Sequence, residues 1–302
     1  MKPLKLILYS IVKLYELKLL TGRLNDYHYF HTINYFQQVK ILQSLQLIID
    51  FAKYYISATN RHGLQGPFAY QLNEAVFRHD RREAVHKEIE ATRDHLLQNH
   101  RKINVLDFGA GFGGKVYKER AISYITKNSS KPPRYARMLY RLVNHLKPKL
   151  MLELGTSVGI SALYQSAGNP QGRMITMEGC PETAALARAN VQQFPSLNIE
   201  IVEGAFEESL PQLLTKIDQI DYLFIDGHHR LEPTLKYIDL CYPKLSAEAV
   251  IVVDDINWSP EMQETWKQLK TDKRFTLSID VFMIGLLFVN KNLSKEDFVI
   301  RY

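Results

Sequence analysis

The stretch Leu150-Met-Leu-Glu153-Leu-Gly155-Thr-Ser-Val-Gly159-Ile-Ser161 decides the fold. A short, nearly continuous apolar run, Leu150–Leu154, ends in a glycine turn and leads at once into the helical pattern Ser161–Ala167. Runs of this kind belong to strands whose two faces are both covered. The unit repeats. Strand-like runs follow at Met174–Met177, Ile199–Val202, Tyr222–Ile225 and Val250–Val253, with helical patterns at Pro181–Phe194, Glu207–Lys216 and Leu231–Leu240 between them. Strands alternating with helices imply an α/β, doubly wound, mostly parallel sheet. Two final runs, Leu277–Ile279 and Leu286–Val289, are joined by a short turn around Met283–Gly285 and add an antiparallel pair. That makes seven strands, and such a sheet binds its ligands at the C-terminal ends of the strands.

Working outward toward the N-terminus, residues 1–100 read as a helical region. Apolar residues recur near every 3.6 positions through Ile41–Ile56 and Ala84–Leu97, with a Gly/Pro break at His62–Pro67. The most apolar segment, Leu4–Leu20, carries Lys5, Lys13, Glu16 and Lys18, whereas a membrane span needs ~20 residues nearly free of charge. It also lacks the small-residue cleavage pattern of a signal peptide. Its apolar residues Leu4, Ile7, Leu8, Ile11 and Leu14 fit a helix packed on its own protein or on a second subunit, hence a homodimer through the N-terminal helices. Residues 101–134 read as a basic connecting segment that ends in the loop Asn128-Ser-Ser-Lys-Pro-Pro133. Residues 135–302 then form the Rossmann-like domain, opening with a helix at Tyr135–Leu146.

Composition excludes several classes. Of 302 residues, 46% are hydrophobic and 23% charged, which rules against disorder, collagen and coiled coil. Two cysteines, Cys180 and Cys241, cannot form a disulfide scaffold, and they suit a reducing, cytoplasmic setting. The net charge of +6 is unevenly spread. Residues 101–149 hold 12 Lys/Arg against 2 Asp/Glu, while residues 150–302 hold 13 against 21. A basic middle therefore precedes an acidic C-terminal half. The basic stretch suits an anionic acceptor, a partner surface or, the favoured reading, a solvated helix face; a strongly basic protein built for nucleic acid is not what this distribution shows.

Two glycine-rich turns compete for a nucleotide. Asp107-Phe-Gly109-Ala-Gly111-Phe-Gly-Gly114 is a literal G-x-G-x-x-G after a strand-like run, Ile103–Asp107. Glu153-Leu-Gly155-Thr-Ser-Val-Gly159 matches the pattern less well. A nucleotide site of this type also needs a carboxylate at the end of the next strand, about 20 residues on, to take the ribose hydroxyls. Glu178 stands at that distance from Gly155, whereas the next strand after Gly109 ends at Glu153, beyond a Pro-Pro loop. Context therefore selects the second turn. The first serves as a tight turn where two chain segments pass closely; an NAD-dependent oxidoreductase using Gly109–Gly114 is the alternative.

Taken in order, Glu153-x-Gly155-x-x-x-Gly159, Glu178, Glu203-Gly-Ala-Phe206, Phe224-Ile-Asp226-Gly-His-His229 and Val253-Asp-Asp255 resemble class I S-adenosylmethionine-dependent methyltransferases. Within that class the chain looks like the small-molecule O-methyltransferases related to catechol O-methyltransferase, in an uncharacterised bacterial branch. The resemblance covers about Tyr135 to Val289. It implies S-adenosyl-L-methionine as cofactor and a small-molecule methyl acceptor. Glu153, Gly155, Ser157, Gly159 and Ser161 would receive the methionine part of the cofactor, helped by the N–H groups at the following helix start. Glu178 would hold the ribose, and Gly204, Ala205 and Phe206 the adenine. Cys180 either lines the adenine pocket or is a small buried apolar residue.

Asp226 follows three buried strand residues, so its charge needs a partner. The resemblance offers the cofactor's ammonium, a metal ion, or both. With Asp254 and Asp255 it would make an all-oxygen site for Mg²⁺ or another divalent cation, although the metal-dependent relatives often carry Asn where Asp255 stands. The competing reading has one aspartate on the cofactor and the others capping turns. His228 and His229 are candidates for the base that deprotonates the acceptor, His228 being favoured two residues after Asp226. Trp258 is either an aromatic wall or ordinary packing. An RNA-directed methyltransferase is a further alternative, prompted by the basic stretch; a base-directed enzyme would usually carry an Asn/Asp-Pro-Pro-Tyr sequence after the fourth strand, where this chain has Asp226-Gly-His-His229.

Overall fold

The computed structural model describes residues 45–59, 66–107 and 116–302. The chain divides into two compact units, Met1–Ile49 and Asp50–Tyr302, and the second carries all that follows. The segment Leu4–Leu20, expected to be a helix that makes a dimer contact, lies outside the described residues, as does the glycine-rich turn Gly109–Gly114. Among the described residues no helix is long and apolar enough to cross a membrane.

Residues 50–57 are helical, as the spacing of Ile41–Ile56 predicts over their shared length. Helices α1 (Pro67–Leu72) and α2 (Ala84–Leu97) follow, then a hairpin of β1 (Lys102–Asp107) and β2 (Val116–Ala121), then α3 (Ile122–Ser129) and α4 (Pro133–Leu146). The alternating half comprises β3 (Leu150–Leu154), α5 (Ile160–Gly168), β4 (Arg173–Glu178), α6 (Pro181–Val191), β5 (Ile199–Glu203), α7 (Phe206–Leu214), β6 (Ile220–Ile225), α8 (Leu231–Cys241) and β7 (Leu245–Asp254). Helix α9 (Pro260–Thr271) leads to β8 (Leu277–Asp280), β9 (Ile284–Phe288) and β10 (Glu296–Val299).

The main sheet runs β10-β8-β9-β7-β6-β3-β4-β5. Strands β3 to β7 are mutually parallel, β9 is antiparallel to both β7 and β8, and β10 lies parallel beside β8. This is the doubly wound, mostly parallel Rossmann-like sheet that the apolar runs imply. It has eight strands rather than seven. The extra strand, Glu-Asp-Phe-Val, carries two charges because an edge strand needs no two-sided apolar cover.

Alternation along the strands shows why both faces must be covered. Leu152, Leu154, Leu223, Ile225, Ile251 and Val253 pack with residues of α7, α8 and α9, among them Leu210, Tyr237 and Trp266. Met151, Tyr222, Phe224, Val250 and Val252 face the other way, against Met138, Leu139, Leu142 and Val143 of α4. Most of these side chains are completely buried, and each stabilises the fold by about 1.5–3 kcal/mol through the water it sheds.

The basic middle of the chain is only partly a solvated face. Arg137 and Arg141 of α4 are buried and share Asp80, with Arg137 Nε 2.7 Å and Arg141 Nη1 2.9 Å from its Oδ1. Arg141 also donates to the Tyr302 hydroxyl at 3.0 Å, and the Arg134 guanidinium lies 4.4 Å from the centre of the Tyr302 ring. Two cations on one face of α4 would repel each other if Asp80 were absent. Its carboxyl is held below the usual range, first by the Arg137 hydrogen bond. Asp80→Asn should cost about 2–3 kcal/mol, somewhat less than the ~3–5 kcal/mol of a fully buried pair because Asp80 is about one-third exposed. Urea unfolding of the two proteins measures it; a loss below ~0.5 kcal/mol would contradict the role given to Asp80.

Candidate active site

In the parallel sheet, β3, β4 and β5 step outward in one direction, and β6 then returns to the other side of β3. A crevice opens where the order reverses, at the C-terminal ends of β3 and β6. Gly155 ends one strand and Asp226 the other. A Cβ on Gly155 would lie 2.4 Å from the Asp226 carbonyl oxygen, and its φ of +114° is one that only glycine adopts freely. The Asp226 N–H donates to the Leu154 carbonyl at 2.9 Å. The two turns are thus pressed together by backbone.

The Gly155–Gly159 turn is fixed from three sides. The Gly155 and Thr156 N–H groups both donate to the Met177 carbonyl at 3.0 Å. The Thr156 and Thr176 hydroxyls pair at 2.6 Å, and the Ser157 hydroxyl pairs with that of Ser129, at the end of α3, at 2.6 Å. Asn190 of α6 donates to the Val158 carbonyl at 2.8 Å. Helix α5 then starts at Ile160 with its free N–H groups facing the crevice side of the sheet.

Glu178, ending β4, accepts the Ser157 N–H on one oxygen at 2.8 Å and the Cys180 N–H on the other at 2.9 Å. Burial pushes its carboxyl upward, and these backbone donors only partly offset the push. Glu178 lines the cavity, so a ligand's donors can reach its carboxyl.

One cavity of about 380 Å³ gathers Gly155, Ser157, Glu178, Ala205, Phe206, Asp226, His228, His229 and Asp255, all named from the sequence. Its size is that of a small-molecule site. Trp258 stands at the rim, 63% exposed, and Ser129 and Lys131 also line the cavity. Glu153, Gly159, Ser161, Cys180, Gly204 and Asp254 stand behind the lining. Cys180 is occupied by the hairpin: its sulfur accepts the Leu106 N–H at 3.3 Å and donates to the Asn104 carbonyl at 3.4 Å. The hairpin is further held where Glu182 accepts from the Asn104 N–H and side-chain amide, both at 2.9 Å. Because β1 and β2 pair antiparallel from Lys102↔Ala121 to Asp107↔Val116, the stretch between them joins two hairpin strands. A dinucleotide turn instead leads from strand into helix.

Lys131, a residue of the loop read as a boundary, is the member of the site that sequence reasoning missed. Its Nζ lies 2.9 Å from Asp226 Oδ1 and is hydrogen-bonded to Asp254 Oδ2. Burial opposes its charge, but Asp226, Asp254 and Asp255 outweigh it and raise the lysine pKa above its ordinary value. Burial in turn holds the Asp226 carboxyl above the usual range despite Lys131, and it pushes Asp255 to about 7 with help from Asp254. The signal was available: an aspartate after three buried residues requires a cation.

His229 lies with Nε2 3.6 Å from Asp226 Oδ1 and Nδ1 3.9 Å from Asp255 Oδ2. His228 instead points its Nδ1 at the Tyr237 hydroxyl, 2.9 Å away, with Glu207 at 3.6 Å and the Phe206 ring centre at 5.7 Å. Burial lowers the pKa of both imidazoles, so both are neutral at neutral pH. Both take positive φ, as does Asp255, so backbone strain is concentrated at the strand ends.

As to a metal, ligand atoms of Asp226, His229 and Asp254 lie within 4.8 Å of one another, with His229 completing the set in place of the expected Asp255. Two of those three groups already hold the Lys131 ammonium. As arranged, the residues do not fit a divalent ion.

Residues 152–256 match the family described as a methyltransferase domain. The catechol O-methyltransferase of Mycobacterium tuberculosis is 33% identical over 122 residues, 40% of this chain and 54% of that enzyme. A probable cobalt-precorrin-6B C(15)-methyltransferase of Sulfolobus acidocaldarius is 32% identical over 107 residues, 35% and 52% of the two chains. The chain spans about half the length of these curated relatives. Among solved structures, cofactor-bound Rv0187 from MTB aligns with a TM-score of 0.50 at 20% identity, over 76% of this chain and 100% of that one. That likeness speaks to fold alone. Residues 152–256 thus resemble methyltransferase domains, and the sheet around them has the Rossmann-like fold. The curated proteins it is similar to include catechol O-methyltransferases.

Glu153 offers a check on this geometry. It is fully buried, accepts from Gln165 Nε2 at 2.8 Å and Thr176 Oγ1 at 2.5 Å, and burial pushes its carboxyl to about 7. An acid whose pKa is raised by folding contributes stability below its unfolded value, near 4.5, and loses it as pH rises through about 7. Glu153→Gln should therefore gain on the wild type between pH 5 and pH 8, by up to about 3 kcal/mol. Denaturant unfolding at the two pH values measures the gain, and a pH-independent difference would contradict a buried, ionising Glu153.

Proposed function

We propose that the chain transfers the methyl group of S-adenosyl-L-methionine to a hydroxyl oxygen of a small molecule. One observation carries this reading: a buried carboxylate, Glu178, at the end of β4 opens on the same cavity as Asp226 and two neutral imidazoles.

When bound, the cofactor supplies an electrophilic methyl group on a sulfonium centre. Glu178 would accept the ribose hydroxyls, and Ala205 and Phe206 would bound the adenine. Gly155, Ser157, Gly159 and Ser161, with Glu153 behind them, shape the end that receives the methionine part. Gly204 sets the turn through its N–H bond to the Glu178 carbonyl at 3.0 Å. Cys180 supports the hairpin rather than the adenine pocket. The acidic strand ends favour a positively charged cofactor, since three aspartates face one lysine.

His229 is the better placed base. It is neutral, it borders Asp226 and Asp255, and the imidazolium it forms would rest between two carboxylates. An imidazole nitrogen of His229 would take the acceptor proton and so free the oxygen lone pair for the methyl group the cofactor would supply, the sulfur keeping the electron pair of its C–S bond and leaving as a neutral thioether. His228, bonded to Tyr237, positions Phe206. Trp258 at the rim suits the face of a planar acceptor, as the catechol O-methyltransferase relatives suggest. The two free, buried cysteines support a cytoplasmic setting.

Calorimetric titration with S-adenosylhomocysteine and with NAD tests the reading. The wild type should bind the homocysteine nucleoside and not NAD, and Glu178→Ala should weaken that binding by about 100-fold or more through loss of two charge-assisted hydrogen bonds. NAD binding alone, or unchanged affinity in the variant, would overturn it. With a catechol such as 3,4-dihydroxybenzoate as probe acceptor, His229→Gln should lower kcat by about 10²–10⁴ while nucleoside affinity stays within a few-fold. A larger loss in His228→Gln would reverse the two roles.

A further inference from the structure

We propose that the Lys131 ammonium is a built-in cation that takes the place of a divalent metal in this site, so that the domain operates without one. The inference rests on the methyltransferase reading for its chemistry, but its structural content stands by itself.

Three aspartates converge at the ends of β6 and β7, and one ammonium sits among them, 2.9 Å from Asp226 Oδ1 and bonded to Asp254 Oδ2. A metal ion bound to those two oxygens would lie against Nζ, and the two positive charges would repel in a poorly solvated place. Removing the lysine from the site would require its aliphatic stem, now mostly buried, to unpack.

The surrounding chain makes that costly, because Lys131 does not belong to a loose loop. Pro132 restricts it to extended backbone, and Pro133 opens α4 directly afterwards. Arg93, a buried residue of α2, donates to the carbonyls of Ser130 and Lys131. Ser129 is bonded to Ser157 of the turn after β3. Arg137, one helical turn into α4, is locked on Asp80. Residues on both sides of Lys131 are thus tied to other elements, and the ties hold the loop that points the side chain at the strand ends.

An ammonium has three N–H donors. Asp226 and Asp254 take two, and because Lys131 lines the cavity the third remains for an acceptor oxygen. It would stabilise the negative charge that grows there as His229 takes the proton. This is the electrostatic part of what a metal would otherwise do, supplied by a fixed side chain without a coordination shell.

Titration of the purified full chain with Mn²⁺, followed by the electron paramagnetic resonance signal of the free ion, tests the proposal. The wild type should leave the signal undiminished. Lys131→Ala should take up one Mn²⁺ per chain, since it leaves Asp226, Asp254 and His229 without a cation. Lys131→Met, which keeps the stem, serves if the alanine variant fails to fold as judged by circular dichroism. Stoichiometric Mn²⁺ binding by the wild type would overturn the proposal, and so would absence of binding by a folded variant. Calorimetry with S-adenosylhomocysteine on the same samples separates the two claims. Loss of nucleoside binding by the wild type would defeat the methyltransferase reading, whereas the Mn²⁺ result decides the cation.

Discussion

A parallel sheet covered on both faces leaves its strand ends as the natural place for polar chemistry, and here those ends carry more negative charge than positive. Asp226, Asp254 and Asp255 are all drawn into a site with little water, where an unpaired carboxylate is expensive. The Lys131 ammonium between two of them is the interaction on which the rest of the site depends. It accounts for the buried aspartates and for the tight loop before α4.

The consequences run outward from that ion pair. Lys131 can be presented only if α4 is held in place, and Asp80 holds it through Arg137 and Arg141. The loop is closed by Arg93 from α2 and by the Ser129–Ser157 hydroxyl pair. In this way the helices preceding the alternating half become part of the site, and Ser129 at the end of α3 itself lines the cavity. Three acidic groups surround one lysine, and a sulfonium cofactor suits such a cluster better than an anionic ligand.

Much of this architecture was legible in the amino-acid order. Strands β3 to β7 announce themselves because two-sided burial demands unbroken apolar runs such as Tyr222–Ile225 and Val250–Val253. Glu178 was found from its distance after Gly155, a geometric requirement of the turn. What escaped did so for physical reasons. Strand β10 lies at the sheet edge, and β2, Val-Tyr-Lys-Glu-Arg-Ala, belongs to a separate two-stranded hairpin, so neither has the apolar run that marks a strand. Helix α9 lay unread between Asp255 and the closing strands. Lys131, in a Lys-Pro-Pro sequence, has the composition of a linker, and its partners are 95 and 123 residues away. Local pattern cannot reveal a contact of that range. The need for a cation beside Asp226 was visible; which residue supplied it was not. The same holds for the imidazoles, since only the structure shows His228 turned toward Tyr237 and His229 toward the aspartates.

The central claim is that one cavity holds the nucleoside on Glu178 and a lysine, rather than a metal, on Asp226 and Asp254. Diffraction from crystals of the chain grown with S-adenosylhomocysteine and excess Mn²⁺, collected to record the anomalous signal of manganese, addresses it most directly. The account predicts the nucleoside over Phe206 with its ribose on Glu178, Lys131 Nζ between the two aspartates, and no anomalous peak there. A manganese peak on Asp226 and Asp254 with Lys131 displaced, or a nucleoside bound elsewhere, would contradict it.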